Sequence, residues 1–465
     1  MSARTRALFA LICMLFVVPT AAQAATRMPI GFYDDASFRW SPDRLANLAT
    51  AAAAGADVIH TNANWATIAP TRPANALNGD DPAYRLADLD QLVAAAPQYG
   101  LRVMVTVVGT PRWANGGRTP NHMPRRLSDL TAFSRMLATR YNGLHGHGTV
   151  SIWSVWNEPN LQLFLAPQYV GKKMVGPANY VKLYKAVYAG LHAGNRSAAI
   201  AIGETSPEGR DKPIKTKGQG QSIAPATFAR LVARAKGLKF TAWAHHPYPP
   251  IVAGKALGAV RYPNVNLSQL HRFEKDLNKW FHRKVAIWIT EYGHQARPAQ
   301  PKGVTTAVQA KYARQALTFA KRDPNVQMFV WFTLRDSASN PWKSGVEVSS
   351  GARRPSFNAF ASIARGVRGT LQTVTKHRRP TVILYVPEIA YYSPTGSTVG
   401  ITYTIRNKKG QVVGRGEPQS YVRADQSVSF VPTLLAAPDE TYTVTAVVND
   451  ASGHTEPVAT LLVTS

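Results

Sequence analysis

Ser151-Ile-Trp-Ser-Val-Trp-Asn-Glu-Pro-Asn160 is the stretch on which the reading of this chain turns. Val150 to Trp156 reads as an apolar run, the pattern of a strand covered on both faces. Proline cannot donate to a sheet ladder, so the strand must stop at Pro159. That leaves an amide, Asn157, beside a carboxylate, Glu158, at a strand's C-terminal tip. Taken alone, Asn-Glu-Pro is equally a polar turn; the flanking chain gives it meaning.

Working outward, apolar runs alternate with segments of helical period. Strands are expected at Ile30 to Tyr33, Val58 to Thr61, Leu101 to Val108, the central stretch, Ala199 to Gly203, Phe240 to Ala244, Val285 to Thr290 and Val326 to Phe332. Helices are expected between them. One runs from about Pro42 to Ala54 and is ended by Gly55. Another, marked by Leu86, Leu89, Leu92 and Val93, stops at Gly100. A third opens on Ser128 as its cap and runs to about Tyr141. Tyr180, Leu183, Tyr184, Val187 and Leu191 share one face of the fourth. The rest begin near Pro225, around Leu270 to Trp280, at Thr305 to Lys321 and at about Ser356 to Ala364. Eight strand–helix pairs over residues 27–366 give an α/β class and a (β/α)8 TIM barrel. An open doubly wound sheet is the competitor, but no glycine-rich phosphate turn follows the first strand. Polar residues also recur at one end of many strands, where a barrel would gather them around a single mouth.

Beyond Gly366 the period changes. Val399, Ile401, Tyr403 and Ile405 alternate as in a half-buried strand, and Asn407-Lys-Lys-Gly410 is a turn signal. Residues 370–465 are expected to form a small all-β sandwich of immunoglobulin or fibronectin type.

The chain has 465 residues, of which 45% are hydrophobic, enough for a large barrel and a small module. Arg4 and Arg6, the apolar run Leu8 to Pro19 and Ala22-Gln23-Ala24 together have the order of a signal peptide over residues 1–24. An uncleaved anchor is the alternative. No later run is long and apolar enough to cross a membrane. The only cysteine, Cys13, lies inside that segment, so the mature, secreted chain would fold without disulfides. The net charge is +28, with 54 basic and 26 acidic residues. It would attract an anionic cell-wall or extracellular polymer. An exported chain is not expected to meet nucleic acid, and a monomer is expected.

Two glutamates tip expected strands, Glu158 after the fourth and Glu291 after the seventh; no glutamate precedes Glu158. Two carboxyl groups facing each other suit glycosidic bond cleavage: one protonates the leaving oxygen, the other attacks or activates water. Trp156-Asn-Glu-Pro159 together with Ile289-Thr-Glu-Tyr-Gly293 resembles the clan A (β/α)8 retaining glycoside hydrolases, most of all family 39 or family 5. The resemblance covers the barrel and not the tail. It implies Glu158 as general acid/base, Glu291 as nucleophile and Asn157 as the amide that holds the sugar 2-hydroxyl. It also implies His246 and Tyr248 as a His-x-Tyr pair beside the nucleophile, and Trp331 as a sugar-stacking ring. Trp65 and Trp113 are further candidate platforms, with packing as their alternative. Clan members often carry an arginine five residues before a tryptophan late in the second strand. Here His60 stands in that place, and a neutral imidazole would hold a carboxylate less strongly. That departure supports the rival reading, a non-catalytic glycan-binding barrel. No metal or cofactor is expected; His145 and His147 flank Gly146 without a carboxylate or thiol to complete a ligand set. The expected activity is hydrolysis of a β-linked poly- or oligosaccharide by double displacement.

Overall fold

The computed structural model describes residues 28–464 apart from short segments at 217–219, 251, 365–369, 377–378, 386–388, 394–396, 423–425, 431–432, 436–440 and 451–454. The signal-peptide expectation therefore lies outside the described residues.

Eight parallel strand positions form a ring: β1 (Ile30–Tyr33), β2 (Val58–Asn64), β3 (Arg102–Val108), β4 (Ile152–Val155), β5 (in two pieces, Ala199–Ile200 and Ile202–Thr205), β6 (Ala242–His245), β7 (Ala286–Tyr292) and β8 (Val326–Phe332). β1 pairs with both β2 and β8, as a barrel requires. The ends of the sheet are the two pieces of β5: Ala199–Ile200 pairs with β4, and Ile202–Thr205 pairs with β6. They are consecutive in the chain, and the Ala201 amide donates to the Trp153 carbonyl at 2.9 Å, so the chain itself nearly closes the ring. Eight helices alternate with these strands: α1 (Arg44–Ala53), α2 (Ala87–Ala95), α3 (Leu127–Arg140), α4 (Gly176–Gly194), α5 (Pro225–Val232), α6 (Leu270–Phe281), α7 (Thr306–Arg322) and α8 (Pro355–Ala364). α3 starts one residue earlier than its expected Ser128 cap. Arg126 is the extended residue before the helix and makes no side-chain cap bond, which places Ser128 in the first turn.

Alternation along the strands separates two cores. Val58, Met104, Ile152, Ala201, Ala242, Ala244, Trp288, Met328 and Val330 fill the inside of the ring. The intervening residues, such as Ile59, Val105, Trp153, Trp243, Ile289, Phe329 and Trp331, pack outward under the helices. Three register shifts occur around the ring: between Ile287 and Trp288 of β7, between Ile289 and Tyr292 of β7, and between Gly203 and Thr205 of β5. The last two break the alternation within their own strands. Without them Glu204 and Glu291 would follow the outward parity of Ile202 and Ile289; an extra residue re-aims the side chain at such places.

After α8 the chain is all β and antiparallel: β9 (Thr370–Lys376), β10 (Arg379–Tyr385), β11 (Ile389–Ser393), β12 (Ser397–Arg406), β13 (Val412–Gly416), β14 (Gln419–Val422), β15 (Gln426–Phe430), β16 (Thr433–Leu435), β17 (Thr441–Asp450) and β18 (Thr455–Thr464). β12 pairs with β13, β14 and β17, and β17 with β18. Ile401 and Ile405 of β12, and Tyr442, Val444 and Ala446 of β17, are buried, as period-2 patterning requires. Gly410, at φ 78°, closes the turn after Asn407, its amide bonded to the Asn407 carbonyl at 2.9 Å.

Candidate active site

The inner wall becomes polar toward the C-terminal end of the ring. His60, Thr106 and Glu204 lie one layer above the apolar plug; all three are buried. Above them β4 ends in a strained turn: Trp156 and Glu158 adopt φ of 69° and 38°. Non-glycine residues hold such values only where the surroundings over-determine them. Here the Trp156 amide donates to the Val107 carbonyl at 2.8 Å, and the Glu158 amide to the Glu204 carbonyl at 2.9 Å. The tip of β4 is thus built on the bulge of β5, which itself holds Glu204 at φ 48°.

The two glutamates, far apart in the chain, meet on one imidazole. His246 Nδ1 is 3.1 Å from Glu158 Oε1 and 3.6 Å from Glu291 Oε2. The Tyr248 hydroxyl donates to Glu291 Oε2 at 2.9 Å. Burial alone would strip the proton from His246, but the carboxylates of Glu291, Glu158 and Glu204 outweigh it and lift the ring to about 9. His246 is therefore a cation at neutral pH, and its Nδ1–H donates to Glu158. Burial pushes Glu291 up to about 7, the His246 charge pulls it down, the Glu158 carboxylate pushes it up again, and the Tyr248 hydroxyl pulls it down. The site thus brings two carboxyl groups together on one cationic imidazole, the pair of groups that acid-assisted cleavage of an acetal uses.

Glu204 is a third carboxyl beneath this pair. Burial, opposed by the His246 charge and reinforced by Glu291, raises it to about 8, so it is protonated at neutral pH. Its Oε1 accepts from Thr106 Oγ1 at 3.1 Å and lies 3.6 Å from His60 Nε2. Nothing local in the sequence marks Glu204 as lying beneath the pair.

Other expected residues fall elsewhere. His60 is fully buried, with Nδ1 3.1 Å from the Thr290 carbonyl and Nε2 2.7 Å from Thr106 Oγ1. Burial drops it to about 3, so it is neutral and turned toward Glu204 rather than toward a ligand. Trp331 is a correction: its odd parity on β8 sends it outward, fully buried, with its indole N–H donating to the Ser344 carbonyl at 3.0 Å. Trp65 is likewise buried, stacked on Phe133 with ring centres 5.6 Å apart. Trp113 is half-buried, but Arg72 covers its face at 4.3 Å. Trp331 and Trp65, both buried, offer no free face to a sugar. Asn157 is half-buried beside Glu158.

Two aromatic groups at the mouth escaped the sequence reading. Trp342, in the loop between β8 and α8, meets Tyr248 edge to face with ring centres 5.1 Å apart. Its Nε1 is buried and has no hydrogen-bond partner. Tyr33, at the end of β1, packs on His60 at 4.6 Å and on Phe332 at 5.1 Å. Neither lies in a motif, and only the tertiary structure brings them to the glutamates.

Solved structures share the barrel at low identity, and so share fold alone. A family 39 glycoside hydrolase from Bacteroides cellulosilyticus aligns at 15% identity and a TM-score of 0.54, covering 88% of this chain and 81% of that one. A family 39 β-xylosidase from Caulobacter crescentus gives 14%, 0.52, 88% and 96%. A family 5 enzyme from Streptomyces cattleya, solved with GlcNAc, gives 16%, 0.52, 73% and 80%. No curated protein matches the chain. The cellulase model of glycosyl hydrolase family 5 matches residues 25–336, from ahead of β1 to beyond β8 and through both glutamates. With that match over most of its length, the chain belongs to glycosyl hydrolase family 5 and is a glycoside hydrolase.

Proposed function

We propose that the protein is an exported retaining β-glycosidase acting on a β-linked poly- or oligosaccharide. The observation that carries this is the sharing of His246 by Glu158 and Glu291, with Tyr248 on Glu291 alone. A hydroxyl donated to Glu291 favours its ionised form, which suits a nucleophile. Glu291 attacks the anomeric carbon as the glycosidic C–O bond breaks, and Glu158 gives its proton to the departing oxygen. The resulting glycosyl ester is opened by water, whose proton returns to Glu158, releasing the sugar and freeing Glu291. Asn157 holds the sugar 2-hydroxyl, and Trp342 supplies the stacking face in place of Trp331. Residues 1–24 are read as the export signal, testable by N-terminal sequencing of protein recovered from the medium.

A 2-deoxy-2-fluoro β-glycoside of the preferred sugar tests the mechanism. Covalent label on the peptide carrying Glu291 is expected. Glu158→Ala should lose most activity and recover part of it with azide, yielding a β-glycosyl azide. Glycan binding without label would return the non-catalytic reading, and an α-azide would mean inversion.

A further inference from the structure

A second cluster of ligating side chains lies on the outer wall of the barrel. His271 and Glu274 are one turn apart on α6, and Asp323 follows the last residue of α7. The ligating atoms of the three lie within 4.8 Å of one another. His271 Nδ1 is 3.0 Å from Asp323 Oδ2 and 3.8 Å from Glu274 Oε2. The two carboxyls are buried, with Glu274 3% and Asp323 4% exposed, while His271 stands in solvent.

Asn325 Nδ2 donates to Glu274 Oε2 at 3.0 Å, yet Glu274 Oε1 is buried with no hydrogen-bond partner, and Asp323 Oδ2 has only the His271 imidazole beside it. Orphaned carboxylate oxygens are costly, and adjacent buried carboxyls need a proton or a cation between them. An open cleft of about 450 Å³, lined by His271, Asp323, Phe319 and Leu257, gives the cluster access to solvent. Phe319 packs on the His271 ring at 5.0 Å, and Asn325 orients Glu274, so two of the three ligands are held from behind.

We propose that His271, Glu274 and Asp323 bind a divalent transition ion of the zinc class, clamping α6 to the junction of α7 and β8. Imidazole with two carboxylates is a nitrogen–oxygen set that suits zinc, leaving a fourth position open toward the cleft. Calcium and magnesium prefer sets made of oxygen ligands alone, which the His271 imidazole breaks. The ion is structural and stands apart from the hydrolytic mouth.

The test uses the full chain stripped with chelator and titrated with zinc chloride by calorimetry, alongside His271→Ala and Glu274→Gln. His271 is exposed, so its replacement leaves the fold intact. One zinc per chain with micromolar affinity is expected, weakened at least tenfold in both variants. Zinc should raise Tm by several degrees in the parent chain and not in His271→Ala. Absence of stoichiometric binding, equal affinity in His271→Ala, or a stronger response to calcium than to zinc would each overturn the proposal.

Discussion

Glu204 shows how much one buried proton can matter. Its folded value of about 8 stands above the 4.5 of a free glutamate, so the native chain keeps a proton that the unfolded chain releases. Stability therefore falls as pH rises from about 4.5 toward about 8, by up to about 1.4 kcal/mol per pH unit. His246, raised from 6.5 to about 9, acts in the same sense: its contribution is full below 6.5 and is lost as pH approaches 9. Glu204→Gln keeps the shape and removes the first of these. Urea midpoints between pH 4.5 and 6.5 should fall less steeply in that variant than in the parent; an unchanged slope would mean Glu204 is not the buried acid. The two tryptophans separate packing from binding. Trp331→Ala should cost about 3–5 kcal/mol in urea unfolding, as large-to-small core changes do. Trp342→Ala should leave the urea midpoint near that of the parent and raise KM, with ligand titration by tryptophan fluorescence as the check.

Elements set these side chains through features with little local signal. Gly31 lets β1 approach β2 closely: a Cβ there would fall 1.7 Å from the Val58 carbonyl oxygen, against backbone that cannot step aside. Gly31→Ala should cost more than about 3 kcal/mol or abolish soluble expression, measured as folded yield and urea midpoint. Gly203, at φ 108°, lets β5 bend ahead of its bulge; a Cβ would meet the Trp243 ring at 2.5 Å. The eight strands and eight helices were legible because their apolar periods of 2 and 3.6 are local properties of the chain. The bulges were not, since a slip of one residue in the alternation leaves no mark in a strand that is covered on both faces and apolar on both. Both inward-facing glutamates of β5 and β7 depend on those bulges, and so does the outward turn of Tyr292, which packs on Phe329 and Trp331.

At the scale of the whole molecule, the family match and both candidate glutamates lie in the barrel, and the tail contributes no residue to the mouth among those described. We read the tail as a β-sandwich that stabilises the enzyme or holds it on polymer. A chain ending at Gly366 should keep its kcat on soluble oligosaccharide and lose retention on insoluble polysaccharide in a pull-down; a large loss of kcat would tie the tail to the barrel's function. No helix among the described residues is long and apolar enough to cross a membrane. By itself the sequence determined the alternation of strands and helices, the change to antiparallel β structure after α8, and the two strand ends carrying Asn157-Glu158 and Glu291. Those follow from side-chain period, proline placement and the order of residue types, all short-range. Only the tertiary structure decided that His246 would be shared by both carboxyls, that Glu204 would lie protonated beneath them, that His60 would turn away, and that Trp342 rather than Trp331 would face the mouth. These depend on which way each side chain points once the ring is nearly closed, and that direction is set by register between strands remote in the chain.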